Sequence, residues 1–559
     1  MLNVPIRKRI LTTLAVFGVT AVIVYSITAA FIYLCMPQWY ALNASTYIIM
    51  TVFALPFIVA VAFFFFYDTK FDLADDLFAS LGVAALIFIA IIAIISIWAT
   101  TGTNMYRADK NYSFVTERVE IVEESVFPQL IEGDDVSKLP LFGEEEAEKK
   151  AEAELAKETA LGSQTSIHDN FMSQEVCGKF VYVGESSPNT VFKKDAANQY
   201  YLVDRNTGES SSVSANNFRV GTKRYFSENV QRYIVKNYSG NGYISDIHLE
   251  IDENGKPYYV GSILVRDVFE SLLKVDGVVI CDPTTKEMKT YRLDQIPSWV
   301  DRVYPEDVLI SYIEVYGQYG KGFWNSLFKK EGVLKPSSEA NEEEMTSYIY
   351  EVVFIDGEPC IYTGLQTANA ASSSADANGM IIASLKTGKI KYYANSGVSE
   401  SHAMKKAEGL VKDKGYIAGF PVPLKVNGIE ALFMLMRDDA NNLTGFSLVA
   451  YGDYTKAAYS ENLSDCITSF LGNVGYQEEN VLSNDEVKTL EGVVDDIATE
   501  VIDGRTVYYF KINNGIYSCN SKINVDVAFT EKGDLVVITY VPSKSRVNSI
   551  KTFEIGGVK

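Results

Sequence analysis

Residues 243–265 read YISDIHLEIDENGKPYYVGSILV, two apolar and aromatic runs either side of Asn254-Gly255. Asn-Gly between such runs is the strongest short-range hairpin signal, because a type I′ turn needs positive φ at both central positions. The pattern recurs. Tyr348-Ile349 leads to Asp356-Gly357 and then Cys360 to Tyr362, and Tyr416-Ile417 leads to Asn427-Gly428 and then Ala431 to Met436. A second turn follows at fixed distance. Asp282 to Glu287 lies 27 residues beyond Gly255, and Ser384 to Lys389 lies 27 beyond Gly357. An earlier copy runs from Gly178 to Asp204 at a spacing of 26, and a degenerate last copy runs from Gly428 to Phe446 and Ala450.

Each copy closes on a helix-like stretch: Ser227 to Asn237, Pro305 to Tyr316, Val398 to Lys414 and Leu463 to Gly472. Pro305 with Glu306 and Asp307 makes a favourable first turn, since Pro suits N1 and acids suit the dipole. The sequence therefore predicts an α+β body of about four β-β-β-α repeat units, at 171–240, 241–345, 346–414 and 415–484. A supersecondary unit that cannot bury its face alone is repeated and packed.

The strand–turn run at Val203, Asp204, Thr207, Gly208 and Glu209 resembles the PepSY domain pattern of bacterial exported and membrane proteins. Ile280, Asp282, Thr285 and Glu287 resemble it with a one-residue insertion, and the third copy has Ser384 in place of Asp. The resemblance implies a bacterial envelope protein whose units bind or restrain a peptidase.

Residues 485–559 read as a separate small β-barrel. Strand-like runs are Leu490 to Ile502, Arg505 to Ile512, Gly515 to Asn520, Asp534 to Val541 and Val547 to Ile555. Gly533 to Tyr540 resembles the late strand of an OB-type barrel. Such folds often stack bases, here on Tyr508, Tyr509, Phe510 and Tyr517. The module carries nine basic and eleven acidic residues, so it offers a polyanion no cationic groove. The expectation is a structural or protein-contact barrel and no nucleic acid.

Upstream of the body, three apolar runs sit in the first 109 residues: Ile10 to Cys35, Tyr47 to Tyr67 and Phe78 to Trp98. Each exceeds the ~20 residues that cross a ~30 Å hydrocarbon core. Residues 1–109 are expected to be a three-helix transmembrane anchor, with Trp39, Tyr40, Tyr67, Trp98 and Tyr106 at the interfaces. The first run is too long for the ~7–15-residue core of a cleaved signal peptide, the alternative for that run. Arg7, Lys8 and Arg9 favour a cytoplasmic N-terminus, and three crossings then place the body outside the cytoplasm. Arg107, Lys110 and Arg118 oppose that orientation, though long domains translocate largely regardless of charge.

Residues 110–170 are expected to be a linker and charged stalk. Glu144 to Leu161 reads EEEAEKKAEAELAKETAL, with favourable Glu145–Lys149 and Glu146–Lys150 spacings and only Ala147, Ala151 and Leu155 as an apolar stripe. That predicts a solvated spacer helix. The net charge of −21 belongs to the region after residue 109, where an acidic surface repels phosphate backbones and anionic membrane alike.

Chemistry-bearing motifs are scarce. His168, His248 and His402 form no zinc-hydrolase spacing, and no phosphate-binding glycine loop or nucleophile elbow occurs. Ser271-x-x-Lys274 and Lys386-Thr387-Gly388 form a partial penicillin-interacting pattern that lacks its third element, and Lys386-Thr387-Gly388 already serves as the repeat's second turn. Asp438, Asp439, Asn441 and Asn442 could hold calcium, but they read as a solvated turn. In the body, Cys177, Cys281, Cys360, Cys466 and Cys519 are far apart, odd in number and form no C-x-x-C, which suits small buried residues.

The aromatic cluster Trp299, Tyr304, Tyr316, Tyr319, Phe323 and Trp324 stands out. Its glycine-rich half, Gly317 to Trp324, is either a buried plug or an exposed surface, and Tyr319, Phe323 and Trp324 are the candidate partner-binding residues. No catalytic residue, cofactor, metal or small-molecule substrate is assigned. The expected partners are the lipid bilayer and a protein or a second copy. The sequence points to a membrane-anchored, non-enzymatic binding or assembly scaffold. The alternatives are a regulator or inhibitor of an envelope peptidase and an enzyme with a cryptic site.

Overall fold

The computed structural model describes residues 6–35, 52, 54–61, 63–64, 82–91, 93–94, 103–123, 127, 129–130, 143–157, 165–167, 171–188, 199–215, 217–222, 224, 226–266, 272–340, 346–355, 357–368, 376–440, 442–475, 488–502, 505–520, 525–541 and 547–556. The chain divides into two compact units, Met1–Val474 and Gly475–Lys559.

Helix α1, Ile6–Cys35, is the one helix among the described residues long and apolar enough to cross a membrane, over Ile10–Ala30. A helix of this kind serves as an anchor or as a signal sequence. Thr12, Thr20 and Thr28 return their hydroxyls to the carbonyls of Lys8, Val16 and Val24, which satisfies those three within the helix. Of the second and third expected spans, residues 54–61 and 82–91 are helical, and much of both runs lies outside the described residues. The interface residues Trp39, Tyr40, Tyr67 and Trp98 lie outside them too.

The expected linker is not a free tether. Helix α2, Thr103–Thr116, packs along a helix of the body, with Phe114 edge-on to Tyr312 at 5.6 Å. The strand Val119–Val122 then pairs in parallel with Ile390–Tyr393, and Gln129–Leu130 pairs in parallel with Val422–Val426. The stalk expectation is also corrected. Helix α3, Glu144–Lys157, buries Ala147, Ala151 and Leu155 against Tyr182, Tyr201 and Val203. Two alanines let the backbone approach the sheet closely, so three apolar residues suffice. Glu146 turns to Arg437 at 3.0 Å and accepts the Gly143 amide at 2.9 Å, as in a capping box.

Four antiparallel sheets follow. Sheet 1 is built on Met172–Val176, Lys179–Pro188, Gln199–Asp204 and Ser210–Ser214, with Thr165–Ile167 on its far end. Sheet 2 is the meander Tyr243–Ile251, Pro257–Val265, Lys274–Cys281 and Met288–Arg292. Sheet 3 holds Glu351–Ile355, Glu358–Thr367, Gly379–Ser384 and Ile390–Tyr393, extended by Leu334–Pro336. Sheet 4 holds Val422–Val426, Ile429–Arg437, Leu443–Ala450 and Asp453–Ser460, with Ile417–Ala418. Helices α4 (Val230–Asn237), α5 (Glu306–Tyr319), α6 (Glu400–Leu410) and α7 (Leu463–Val474) follow the four sheets in turn.

Each sheet has four main strands rather than three. In sheets 1 to 3 the fourth follows the second turn; in sheets 1 and 2 it lies at the edge and is half exposed, so it lacks the apolar run that signals a strand, and in sheet 3 it is covered by Val119–Val122.

The helices fill the spaces between sheets. Val230 and Ile234 of α4 sit among Val181 and Val183 of sheet 1 and Ile244, Leu249 and Tyr259 of sheet 2. Leu309, Tyr312 and Ile313 of α5 sit among Val260, Leu264 and Val278 of sheet 2 and Ile361, Ile381 and Ala383 of sheet 3. Ala403 and Ala407 of α6 join Tyr362, Met380 and Ile382 of sheet 3 to Leu432, Met434 and Val449 of sheet 4. Met380 and Ile382 thus face one core while Ile381 and Ala383 face the next, as period-2 side chains must. A sheet covered on both faces needs continuous apolar strands, and Gly379–Ser384 is buried throughout. The stack curls, since Phe180 of sheet 1 meets Phe354 of sheet 3 at 4.3 Å.

The second turns share one hydrogen-bond scheme. Asp204 Oδ1 accepts the amides of Asn206 and Thr207, and Asp282 Oδ1 accepts those of Thr284 and Thr285. Ser384 Oγ accepts the Thr387 amide at the same offset. The three turns end on positive φ at Gly208, Lys286 and Gly388. Asp282 therefore precedes Thr285 by the same three positions as Asp204 precedes Thr207, and no insertion separates the turns. The first turns vary. Asn427-Gly428 has the two positive φ values of type I′, whereas at Asn254-Gly255 only Gly255 does, with Asp252 Oδ1 accepting the Asn254 and Lys256 amides.

The Gly475–Lys559 unit is a closed barrel of Lys488–Ile502, Arg505–Ile512, Gly515–Asn520, Leu535–Val541 and Val547–Ile555. In that numbering the order is 1-2-3-5-4 with strand 4 returning to strand 1, and strands 3 and 5 are parallel. Phe510, Ile512, Val536, Ile538 and Phe553 fill it.

Candidate functional site

The three candidate aromatics do not share one surface. Tyr319 ends α5 and is buried, Phe323 is half buried, and Trp324 is 59% exposed. Their rings step outward, Tyr319 to Phe323 at 6.3 Å and Phe323 to Trp324 at 5.3 Å. Trp324 then stacks on Phe328 at 5.8 Å, and Phe328 and Leu327 are 71% and 51% exposed. The exposed patch is Trp324, Leu327 and Phe328, of which the sequence singled out only the first. The rest of the aromatic cluster is structural. Tyr304 and Tyr316 join the α5 core, and Trp299 stacks on Tyr258 at 5.3 Å.

The segment carrying the patch is well bonded. Asn325–Lys329 is a single π-helical turn closed by the Lys330 amide on the Asn325 carbonyl at 2.7 Å, with Lys330 at φ 53°. Asn325 Nδ2 donates to the Glu331 carbonyl, and Lys321 pairs with Glu331 at 2.5 Å.

A buried charge cluster lies where sheets 1, 2 and 3 meet. The bulged strand Tyr243–Ile251 turns Asp246 to φ 51° and carries His248 and Glu250 inward, 1% and 0% exposed. His248 Nδ1 lies 2.7 Å from the Asp246 carbonyl, which can only accept, so that nitrogen carries a proton. Its Nε2 lies 2.8 Å from Glu250 Oε1. Burial would push the imidazole pKa down, but Asp246 and Glu250 outweigh it and raise it. Glu250 also accepts the Asp301 and Arg302 amides at 3.0 and 3.1 Å.

Arg302 bonds Glu306, the first residue of α5. Asp301 accepts the Glu175 amide at 2.8 Å and Lys386 at 3.1 Å. Burial, then the Glu250 charge, pushes the Asp301 carboxyl up to about 6 against the pull of those two donors. The cluster joins layers, because its hydrogen bonds run between elements, although Asp246 Oδ2 and Arg302 Nε are buried without a hydrogen-bond partner, and none of His248, Glu250 or Arg302 lines a described cleft.

A second buried carboxylate, Glu400, opens α6. It accepts the Ser337 hydroxyl at 2.7 Å and the Gly364 amide at 2.5 Å. No local motif announces either site, although Asp246, His248 and Glu250 at alternate positions of a strand were a signal in retrospect.

The other sequence candidates are accounted for. His168, Ser271 and Asn441 lie outside the described residues. His402 lies in the first turn of α6, with Nδ1 3.5 Å from Ser399 Oγ. Lys274 lies over the Phe114 ring at 4.7 Å, and Lys386 is held by Asp301 and the Ser298 carbonyl. Asp438 caps its own turn through the Ala440 and Asn442 amides. Among the described residues no group of three His, Cys, Asp or Glu side chains could hold a metal. The five cysteines after residue 109 are free; Cys177 is exposed in the first turn of sheet 1 and the other four are buried. Burial pushes the Cys281, Cys466 and Cys519 thiols up to about 12, which keeps them unreactive.

Among the described residues, clefts include three that are open. One of about 590 Å³ runs between α3 and sheet 1, past Lys150, Lys157, Lys179 and Glu209. One of about 300 Å³ follows α5 past Asp307, Ser311, Glu314 and Gln318. The third, about 170 Å³, lies between Arg205, Glu351 and Arg437. The first is also lined by Glu154, Asp204, Ser210 and Ser211, but Ser211 and, in the second, Ser311 give their hydroxyls to the Leu202 and Asp307 carbonyls and not to a side-chain base.

No family model and no curated protein matches the chain. Among solved structures, one mutant of Synechocystis apocarotenoid oxygenase aligns at 12% identity over 52% of this chain and 61% of that one, with a TM-score of 0.17. A second mutant of that enzyme aligns at 11% identity over 52% and 49%, with a TM-score of 0.13. The chain thus spans about three fifths and half of those structures, and likeness this weak carries no argument.

Proposed function

We propose that this protein is a membrane-anchored, non-enzymatic binding or assembly platform. In this reading all three apolar runs cross the bilayer, the N-terminus is cytoplasmic and the layered body stands outside. The observation that carries it is the path of the chain after the third run. Helix α2 lies along α5, Val119–Val122 extends sheet 3, and Gln129–Leu130 extends sheet 4. Such a path ties the body to the bilayer rigidly, which suits a scaffold that holds a partner at a set height. The internal use of the buried acids and of Lys386 also favours a scaffold over a catalyst.

A second reading is restraint of an envelope peptidase through PepSY-like units. The shared Asp/Ser–Thr turn scheme at Asp204, Asp282 and Ser384 supports it. For the terminal module an OB-like fold is favoured by the 1-2-3-5-4 strand order.

The test is cross-linking of the full chain in its native membrane, extraction in mild detergent, and mass measurement of the purified particle. The expected result is a stoichiometric protein partner or a defined oligomer. A peptidase in the particle selects the second reading. A single chain with no cross-linked partner, or turnover of a substrate, overturns the platform.

A further inference from the structure

We propose that the segment from Phe323 to Lys330 is an interfacial membrane contact. Trp324, Leu327 and Phe328 enter the headgroup–acyl boundary of the bilayer that holds the apolar runs, and Lys329 and Lys330 meet its phosphates. The inference rests on the anchor reading above and adds a second, peripheral attachment.

Position carries the argument first. Helices α2 and α5 run antiparallel, as successive pairs show. Phe114 meets Tyr312, Tyr112 stacks on Tyr316 at 6.1 Å, and a Cβ on Gly320 would lie 3.5 Å from the Tyr112 hydroxyl. A Cβ on Gly322 would lie 4.0 Å from Asp109. Moving toward the C-terminus of α5 therefore moves toward the N-terminus of α2. That end, Thr103, follows the third apolar run, which ends at Trp98, by five residues. Asp109 to Thr103 is about 9 Å of helix at 1.5 Å per residue, a distance the turn beyond Gly322 can cover.

Chemistry points the same way. A body this acidic is repelled by anionic lipid, yet this segment sets three lysines against Glu331 alone, and the adjacent α2 adds Arg107 and Lys110 against Asp109. Tryptophan with flanking lysine is the composition that settles at a bilayer interface, ring in the boundary and ammonium at the phosphate. Three neighbouring apolar side chains more than half exposed, on a segment closed by its own hydrogen bonds, need a cover. The bilayer is the cover the chain itself brings alongside.

The experiment reconstitutes the full chain in phosphatidylcholine–phosphatidylglycerol vesicles whose acyl chains carry bromine either near the headgroup or near mid-chain. The four tryptophans are Trp39, Trp98, Trp299 and Trp324, so subtracting the Trp324→Phe spectrum isolates Trp324 and subtracting Trp98→Phe isolates Trp98. Shallow bromine should quench Trp324 about twofold or more, deep bromine less, and aqueous iodide little. The Lys329→Glu, Lys330→Glu double variant should lose most of that quenching while Trp98 keeps its own. Trp324 quenched by iodide and by neither lipid overturns the proposal. So does Trp324 shielded from all three, which places a protein on the patch. If Trp98 also escapes both bromolipids, the anchor reading fails with it.

Discussion

Replacing Ala151 with Asp should release α3 from sheet 1. Ala147 and Ala151 are fully buried and Leu155 is 6% exposed, on Phe171, Tyr182, Tyr201 and Val203. Burial of Leu155 contributes ~1.5–3 kcal/mol and each alanine methyl ~0.8 kcal/mol, so apolar docking amounts to about 3–5 kcal/mol. A carboxyl at Ala151 would face those rings with no donor in reach. Protonated, it still costs ~1–3 kcal/mol as an unsatisfied polar group. Ionised it costs more, and the displaced contacts add to both. The total is comparable with the docking term itself.

A fourteen-residue helix is marginal alone in water, so undocking is also unfolding. Hydrogen exchange of the amides of residues 148–156 should accelerate roughly 100- to 1000-fold, taking ~1.4 kcal/mol per tenfold. The exposed Glu152→Ala control should leave them unchanged. Equal exchange in Ala151→Asp and wild type would refute the docked helix and restore the solvated spacer.

Three other outcomes follow from the same geometry. Asp301 has a folded pKa of about 6, above its unfolded value near 3.8, so its ionisation opposes folding. The penalty is absent below the unfolded value, grows between the two and is full above about 6, reaching at most ~3 kcal/mol. His248, also raised, adds stability at low pH that is lost as pH rises through its folded value. Urea midpoints of the first unit should therefore fall from pH 4.5 to 7 more steeply in wild type than in Asp301→Asn, and equal slopes would contradict the cluster.

Glu400→Ala leaves the Ser337 hydroxyl and the Gly364 amide unpaired in a dry site, at ~1–3 kcal/mol each. Glu400→Gln keeps an acceptor and should cost less, with Gly364 amide exchange reporting the difference. Phe553→Ala removes a 2%-exposed ring packed 5.0 Å from Phe510 and should destabilise the barrel by ~3–5 kcal/mol. Exchange should rise across residues 488–556 and stay constant in the first unit.

How legible these features were depends on how local their causes are. The second turns were readable because Asp204, Asp282 and Ser384 bond amides two or three residues away, and that geometry is written in consecutive residues. The outer strands Ser210–Ser214 and Met288–Arg292 were missed because partly exposed strands need little apolar content. Helix α3 looked solvated because alanine signals burial weakly, although it is the side chain that permits close approach to a sheet. The Glu250 site left only the alternation of Asp246, His248 and Glu250 as a trace, and the Glu400 site left none. Their partners lie 51 and 36 residues away, at Asp301 and Gly364. Trp324 was flagged, but Leu327 and Phe328 were not, because nothing in the run Asn325 to Lys330 marks a π-helical turn that presents them together.

Two carboxylates share a position, Glu400 buried and Glu306 about 25% exposed. Glu306 and Glu400 are each the first residue of a helix set between two sheets, where the helix N-terminus favours negative charge. Glu306 takes Arg302, which follows sheet 2, and the hydroxyl of Tyr350, which leads into sheet 3. Glu400 takes Ser337 and Gly364 of the sheet 3 region. Apolar layers alone attract without direction and can slide. A carboxylate with two or three fixed donors fixes the register of a helix against the sheet beside it, because any shift would strand buried partners. The same layers accept Val119–Val122 and Gln129–Leu130 as parallel strands, so the chain leaving the apolar segments is bound by sheets whose helices cannot slip.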